Sequence, residues 1–470
     1  MAGTPPAPEG LMVSVSGIRG RVGEALTPEV VASYAAAFGA WALKGSPGRP
    51  IVVGRDSRVS GPMFQRVTIA ALQSVGAHVI DIGLTTTPTC QLAVEDHNAA
   101  GAIMLSASHN PIEWNALKCI GPKGLFLDAR EGTEMRAFVD RGIPRATWDH
   151  LGAVESDSGA AERHLERVLE IPYVDVSAIR ARNFHVALDC VRGAGSVIIP
   201  QLLERLGCKV TAIHTEPDGK FPRAPEPVPE NLGELEQLVR DSGAELGFAV
   251  DPDVDRLALV SETGRAIGED YTLALASMLV LLHKRGPVVT NLSTSLVVED
   301  AVKRGGSTLT RAPVGEVNVA VRMREMRAVV GGEGNGGVIL PDVHLGRDAP
   351  VGIALVLQLL AEMGKPLSAI VAELPKYAIV KDKLERPKAS LDAVYSALRS
   401  AFRDARVDNQ DGLRLAWNDR WLHVRPSGTE PIVRVIAEAP TEKEARDLVR
   451  RAREPLEHMD TRAPAGASAG

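Results

Sequence analysis

The chain has 470 residues, 45% of them hydrophobic and 24% charged, with a formal net charge of −6. This is the composition of a globular protein with enough length for several cores, roughly three domains by length alone. It excludes a basic nucleic-acid surface: no long run of Lys and Arg occurs, and aromatic residues, at 4%, offer few platforms for stacking bases.

In chain order, Pro50 opens the first strongly β-branched run, PIVVGRDSR. A helical stretch, GPMFQRVTIAALQSVG, and a second strand, AHVIDIG, follow. After another helix comes AGAIMLSASHNP, a strand that ends among small hydroxyls and an imidazole. The order then repeats. FHVALDCVRGAG and CKVTAIH read as strands around the helix SVIIPQLLERLG, and AELGFAVDPDVDR closes the set. A third round runs PVVTNLSTS, LVVEDAVKRGG, STLTRAP and RAVVGGEGNGG. Strands alternating with helices predict α/β layers with mainly parallel pairing. In such sheets ligands gather where loops leave the carboxyl ends of strands. SASHNP, DPDVDR and GEGNGG hold the same place in their repeats, which predicts one composite site built from three similar domains. The fourth region differs: LRLAWNDRWLHVRPSGTEPIVRVIAEA and its flanking charged helices read as a smaller α+β domain.

Four cysteines (Cys90, Cys119, Cys190, Cys208) lack metal-ligand or redox spacing and read as small buried hydrophobes of a reducing compartment. MAGTPPAPEG has no apolar secretion core, and the apolar run Leu273–Leu282 is too short to cross a bilayer. A cytoplasmic protein with no membrane partner is expected.

The loops carry the chemistry. Asp251, Asp253 and Asp255 alternate, so in extended backbone they point to one side and repel unless a cation lies among them. Hard oxygen ligands suit Mg²⁺ or Ca²⁺. A calcium-binding EF-hand would place Glu262 at its twelfth position, but Arg256 stands where that loop needs Gly, which favours Mg²⁺. Gly332, Gly334 and Gly337 match a dinucleotide fingerprint only formally, because Pro341 would break the helix that motif requires. Glu333 and Asn335 instead suit sugar hydroxyls. In RPSGTEP, Arg425, Ser427, Gly428 and Thr429, with Arg434 beyond, match a phosphate dianion. No nucleophile elbow surrounds Ser108. Beside a metal and a phosphate site it fits a phosphoryl carrier.

Taken together, SGIRG, SASHNP, DPDVDR, GEGNGG and RPSGTEP, in that order over nearly the whole chain, resemble the α-D-phosphohexomutases. The resemblance implies three similar mixed α/β domains around a central cleft plus a smaller C-terminal α+β domain, at residues 1–150, 155–260, 261–372 and 376–460. It implies reversible phosphate transfer between C1 and C6 of a hexose phosphate through a 1,6-bisphosphate, which also serves as activator. Ser108 would be the phosphoserine, with Mg²⁺ held by Asp251, Asp253, Asp255 and a phosphoserine oxygen. Arg19 and Lys118 would assist acid/base chemistry, with His109 beside the nucleophile, and Arg256 would offset phosphate charge. Glu333 and Asn335 would hold sugar hydroxyls, and Arg425, Ser427, Gly428, Thr429 and Arg434 the non-reacting phosphate. In the metal loop, glycines commonly separate the aspartates of the family. In the sugar loop, Asn335 and Gly337 replace a common Ser and His, a form closer to archaeal-type members that handle glucosamine phosphate. Glucosamine phosphate is therefore the expected substrate, with a mannose/glucose phosphate mutase as the alternative and a non-catalytic phosphosugar-binding protein as the reading of another class.

Overall fold

A computed structural model of the chain describes residues 9–14, 17–386, 389–427 and 432–461. Among these residues the strands form four sheets, one per expected domain. The first places Ile51–Arg55 between Val79–Leu84 and Gly101–Leu105, all parallel. The second places His185–Asp189 between Lys209–Ile213 and Leu246–Val250, and the third Val288–Asn291 between Leu309–Ala312 and Val330–Glu333, again parallel. Gly101–Leu105 and Leu246–Val250 are buried along their whole length, because helices cover both faces of a parallel sheet.

Each of these three sheets departs from parallel pairing at the same place, and the first adds Gly17–Arg21 and Met12–Ser14 as further antiparallel strands beyond it. The strand after the polar loop returns antiparallel: Trp114–Ile120 on Gly101–Leu105, Leu257–Ser261 on Leu246–Val250, and Gly337–Ile339 on Val330–Glu333. These loops are too short for a crossover helix, and only a hairpin can close over so short a connection. Each loop is therefore the tip of a hairpin at the sheet's carboxyl edge, pinned at both ends.

The first sheet also takes in Val154–Ser156, parallel to Val79–Leu84, so it runs beyond the boundary expected at residue 150. The second and third domains share their largest core, beside a smaller cluster of each domain's own. Leu188, Phe248, Leu259, Leu279 and Leu355 belong to one apolar cluster, and helix Ala349–Met363 runs through it. The run Leu273–Leu282 lies within helix Asp270–His283, most of it in this core and Leu282 exposed. Among the described residues no helix is long and apolar enough to cross a membrane.

The fourth sheet is antiparallel throughout. Its alternation sorts two faces. Leu413, Leu415, Leu422, Val424, Val433 and Val435 pack in one cluster with residues of helices Leu391–Ala401 and Glu442–Thr461. From the other face Glu438 receives the Leu296 amide and the indole Nε1 of Trp421, and Ser293 Oγ lies 2.8 Å from His423 Nδ1. The docking face of this domain thus mixes these hydrogen bonds with a small apolar cluster of Leu296, Ala416 and Trp421, and lies on the third domain.

Candidate active site

Ser108 sits at the tip of the first hairpin, 4% exposed, with a left-handed φ of 49°. Its amide donates to Ser106 Oγ (2.9 Å), and its own Oγ donates across the domain boundary to Asp251 Oδ2 (2.8 Å). His109 Nδ1 lies 3.4 Å from the same Oγ. Lys118, on the return strand opposite Met104, reaches Asp253 Oδ2 at 2.5 Å and Asp255 Oδ2 at 3.4 Å. Arg19, from strand Gly17–Arg21, donates to Asn110 Oδ1 (2.6 Å) beside the nucleophile loop.

The second hairpin carries Asp251, Asp253 and Asp255, all fully buried and close enough for one oxygen from each to meet a single ion. Val254, with φ 68°, turns the backbone between the last two. Asp251 Oδ1 accepts the amides of Asp255 and Arg256. Burial, then repulsion from Asp255 and Asp253, pushes the Asp251 carboxyl well above its ordinary range. Burial also works to raise Asp253, but Lys118 overrides it and holds that carboxyl low. Burial would lower Lys118, yet Asp253 and Asp255 keep its ammonium above its ordinary range. The decisive atoms are Asp253 Oδ1 and Asp255 Oδ1, both buried without a hydrogen-bond partner. An anionic oxygen out of water with no donor is costly unless a cation meets it. The donor set therefore fits a hard divalent ion. Glu262, which an EF-hand would aim at that ion, instead accepts the Ser368 amide and hydroxyl.

The third hairpin presses on the second: the Leu257 amide donates to Gly336 O (3.0 Å). Glu333 is buried with both oxygens engaged. Oε1 takes Asn291 Nδ2 (2.8 Å) and the Gly315 amide (2.9 Å), and Oε2 takes Arg347 Nη1 (3.0 Å). Asn335 Oδ1 accepts the Gly337 amide within the turn. Arg347 spans the two hairpins, donating also to Asp255 Oδ2 (2.6 Å) and Glu316 Oε2 (2.8 Å). A Cβ on Gly337 would lie 2.3 Å from Arg347 Cδ, so glycine there makes room for this arginine. Arg256 donates to Glu226 Oε1 (2.8 Å). Burial lowers the His109 imidazole well below its ordinary range, and the charges of Arg256, Arg19 and Arg347 lower it further. Burial takes Arg19 down to about 10. Arg19, Arg256 and Arg347 thus bring positive charge to His109 beside Ser108, opposite the aspartates.

In the fourth domain Arg425 and Arg434 are direct cross-strand partners. Like charges so placed repel, and an anion between them relieves the repulsion. Arg425 Nε is 2.9 Å from Asp411 Oδ2. Asp411 also receives the Val314 amide, while the next amide, Gly315, goes to Glu333. Two adjacent N–H groups therefore tie the fourth-domain loop to the third hairpin. The Ser427 amide donates to Ile432 O, and Gly428 and Thr429 lie outside the described residues. The structure joins Ser108, His109, Lys118, Arg19, the three aspartates, Arg256 and Glu333 in one network. Among the described residues Arg425 reaches that network through Asp411.

Sequence reasoning missed Arg347, Glu316 and Thr87, whose hydroxyl donates to Asp253. All three lie outside the motif loops, and their role is visible only once domains pack. Arg58 was passed over too, although GRDSR ends a buried strand at the same sheet edge as the site loops.

The first three domains match the α/β/α domains I, II and III described for phosphoglucomutase/phosphomannomutase, over residues 11–143, 162–264 and 268–377. Residues 376–454 match the C-terminal domain of the same family. The chain is 39% identical over 447 residues to a Methanopyrus kandleri protein named "Probable phosphoglucosamine mutase", covering 93% of this chain and 96% of that one. It is 38% identical over 446 residues to a Thermococcus kodakarensis protein named phosphoglucomutase/phosphomannomutase, covering 94% and 97%. Among solved structures, a phosphoglucomutase/phosphomannomutase family protein from Burkholderia thailandensis superimposes with a TM-score of 0.83 at 26% identity, over 97% of this chain and 99% of that one.

Proposed function

This chain belongs to the phosphoglucomutase/phosphomannomutase family, and we propose that it acts as that family's kind of isomerase through Ser108, interconverting hexose 6-phosphate and hexose 1-phosphate. The observation that carries the reading is the Ser108 hydroxyl, 2.8 Å from Asp251 beside two buried carboxylate oxygens that lack donors.

Phosphorylated Ser108 donates its phosphoryl group to the free hydroxyl of the bound sugar phosphate. The new bond joins hydroxyl oxygen to phosphorus, the Ser108 Oγ–phosphorus bond breaks, and in the net reaction the hydroxyl proton is replaced by one on Oγ. The resulting 1,6-bisphosphate turns over and returns its other phosphate to Ser108. Such transfer rests on positioning and charge stabilisation. Arg19, Lys118 and Arg256 supply positive charge around the phosphoryl group, and His109, neutral, contributes hydrogen bonding rather than charge. Asp251, Asp253 and Asp255, with an oxygen of phosphorylated Ser108, would hold Mg²⁺, which would screen the charge developing on the phosphoryl oxygens. Glu333 and Asn335 hold the sugar, and Arg425 with Arg434, Ser427, Gly428 and Thr429 the far phosphate.

The preferred substrate is glucosamine phosphate, supported by the name of the Methanopyrus relative. The Thermococcus relative, at 38% identity against 39%, supports mannose or glucose phosphate as the second reading. The test is intact-mass analysis after incubation with glucose 1,6-bisphosphate and Mg²⁺, followed by isomerisation assays of glucosamine, mannose and glucose phosphates. A phosphate on Ser108, absent from Ser108→Ala, with isomerisation of at least one sugar supports the reading. Isomerisation by Ser108→Ala at the wild-type rate refutes it.

A further inference from the structure

Ser108 belongs to the first domain and its partner Asp251 to the second, and their alignment has to be fixed by something other than the reacting groups. We infer that Arg58 is a positioning residue that moulds the nucleophile loop and sets its register against the second domain. This rests on the reading of Ser108 as the phosphoryl carrier.

Arg58 lies in the turn between strand Ile51–Arg55 and helix Gly61–Gln73 and is fully buried. A guanidinium has five N–H donors in a fixed plane. Here all five are used. Nε donates to Asp56 Oδ2 (3.1 Å), Nη1 to Pro111 O (2.7 Å) and Trp114 O (2.9 Å), and Nη2 to Ser108 O (2.6 Å) and Asn110 O (2.7 Å). Four donors thus gather four carbonyls of the Ser108–Trp114 segment about one point. Asp56 Oδ1 also takes the Arg58 amide (2.9 Å), so the arginine is anchored at its own backbone.

The loop needs such an anchor. Serine in the left-handed region is disfavoured and persists only when its surroundings impose it. The first carbonyl Arg58 grips is that of Ser108 itself.

The far side of Arg58 belongs to the second domain. The Phe221 ring lies 5.0 Å from the guanidinium carbon. Gly219, at φ +70°, passes so close that a Cβ there would be 2.2 Å from Ser57 O and 2.8 Å from Arg58 Cα. Ser57 Oγ also donates to Arg192 O (2.8 Å). Arg58 therefore stands between the nucleophile loop and the domain that carries the aspartates.

Its charge is offset locally by the buried Asp56 carboxylate. The role is therefore one of shape, which gives a test that separates fork from charge. Lysine keeps the charge but offers three donors from a single point, and cannot span four carbonyls.

The experiment compares wild type, Arg58→Lys and Arg58→Ala. It measures the rate of Ser108 phosphorylation by glucose 1,6-bisphosphate, kcat and KM for isomerisation, melting temperature, and the response to millimolar methylguanidinium. Arg58→Lys is expected to lower the phosphorylation rate and kcat by about 100-fold, with KM within about threefold of wild type. Methylguanidinium is expected to restore Arg58→Ala at least tenfold and leave Arg58→Lys unchanged. Phe221→Leu, which removes only the ring stacked on the guanidinium, serves if the Arg58 variants do not fold, and is expected to lower kcat several-fold at unchanged KM. A phosphorylated wild type with Arg58→Lys, or with Phe221→Leu in its place, equally fast overturns the clamp alone, as does a rise in KM with kcat unchanged. A wild type that never gains phosphate on Ser108 overturns the carrier reading and the clamp with it.

Discussion

The second and third hairpins occupy the same topological place and touch through Leu257 and Gly336, yet they treat a buried carboxylate in opposite ways. In Asp251–Asp255 seven hydrogen bonds crowd onto four of the six carboxylate oxygens, and two are left bare. In the third hairpin, Glu333 has three donors on its two oxygens. The first arrangement is complete only with a cation. The second is complete as it stands, and a ligand meets a carboxylate already fixed in direction. One fold position can thus present bare carboxylate oxygens suited to a cation or a fully engaged carboxylate, according to which oxygens the surrounding donors reach.

The largest expected effect breaks the metal half of this contrast. Chelation by EDTA, or Asp253→Asn, should lower kcat/KM at least about a thousandfold in a coupled isomerisation assay. Added Mg²⁺ should raise the melting temperature of wild type but not of Asp253→Asn. Full activity in chelator would remove the metal from the mechanism.

The sugar half is probed by Glu333→Gln, nearly isosteric but without the charge that Arg347 meets. KM should rise about 10- to 100-fold with a smaller change in kcat. A fall in kcat at constant KM would place Glu333 in the chemistry instead. Gly336→Ala tests the contact between the hairpins. Gly336 has φ +89°, and its Cβ would lie 2.3 Å from Leu257 O. A loss of about 2 kcal/mol is expected in denaturant unfolding, with a fall in both metal and sugar affinity. An unchanged unfolding midpoint would show that the hairpins move independently.

The smallest effect concerns the seat of the fourth domain. Burial lowers His423 from 6.5 to about 4, against the pull of the Asp411 carbonyl. In the native state Nε2 donates to Asp411 O (2.7 Å) and Nδ1 accepts from Ser293 Oγ, an arrangement of the neutral ring. The unfolded histidine binds a proton that the folded one refuses. Its contribution is therefore present above pH 6.5 and is lost as pH falls toward 4. Melting temperatures should drop by a few degrees over that interval in wild type and less in His423→Gln. Equal slopes would remove His423 from the acid response.

Much of this was legible beforehand. The three rounds of strand and helix are in the sheets, and SASHNP and DPDVDR meet at Ser108 and Asp251 as their register implied. What could not be read is how residues outside the motif loops pack between domains. The period-two and helical patterns of the second and third domains gave no sign that they share their largest core. Neither did LGRDAP announce that Arg347 would gather three carboxylates from separate segments. Arg58 was hidden for another reason: its partners are backbone carbonyls, which have no sequence signature.

The groups proposed to act on the sugar phosphate are distributed with Ser108 in the first domain, the aspartates in the second, Glu333 in the third and Arg425 in the fourth. A nascent chain therefore carries a complete first hairpin long before it has anything to phosphorylate it or any grip on a sugar. The full proposed site is complete only once residue 425 has left the ribosome. A product truncated before the fourth domain would hold the groups proposed for phosphoryl transfer, Ser108 against Asp251 included, and lack the proposed grip on the far phosphate.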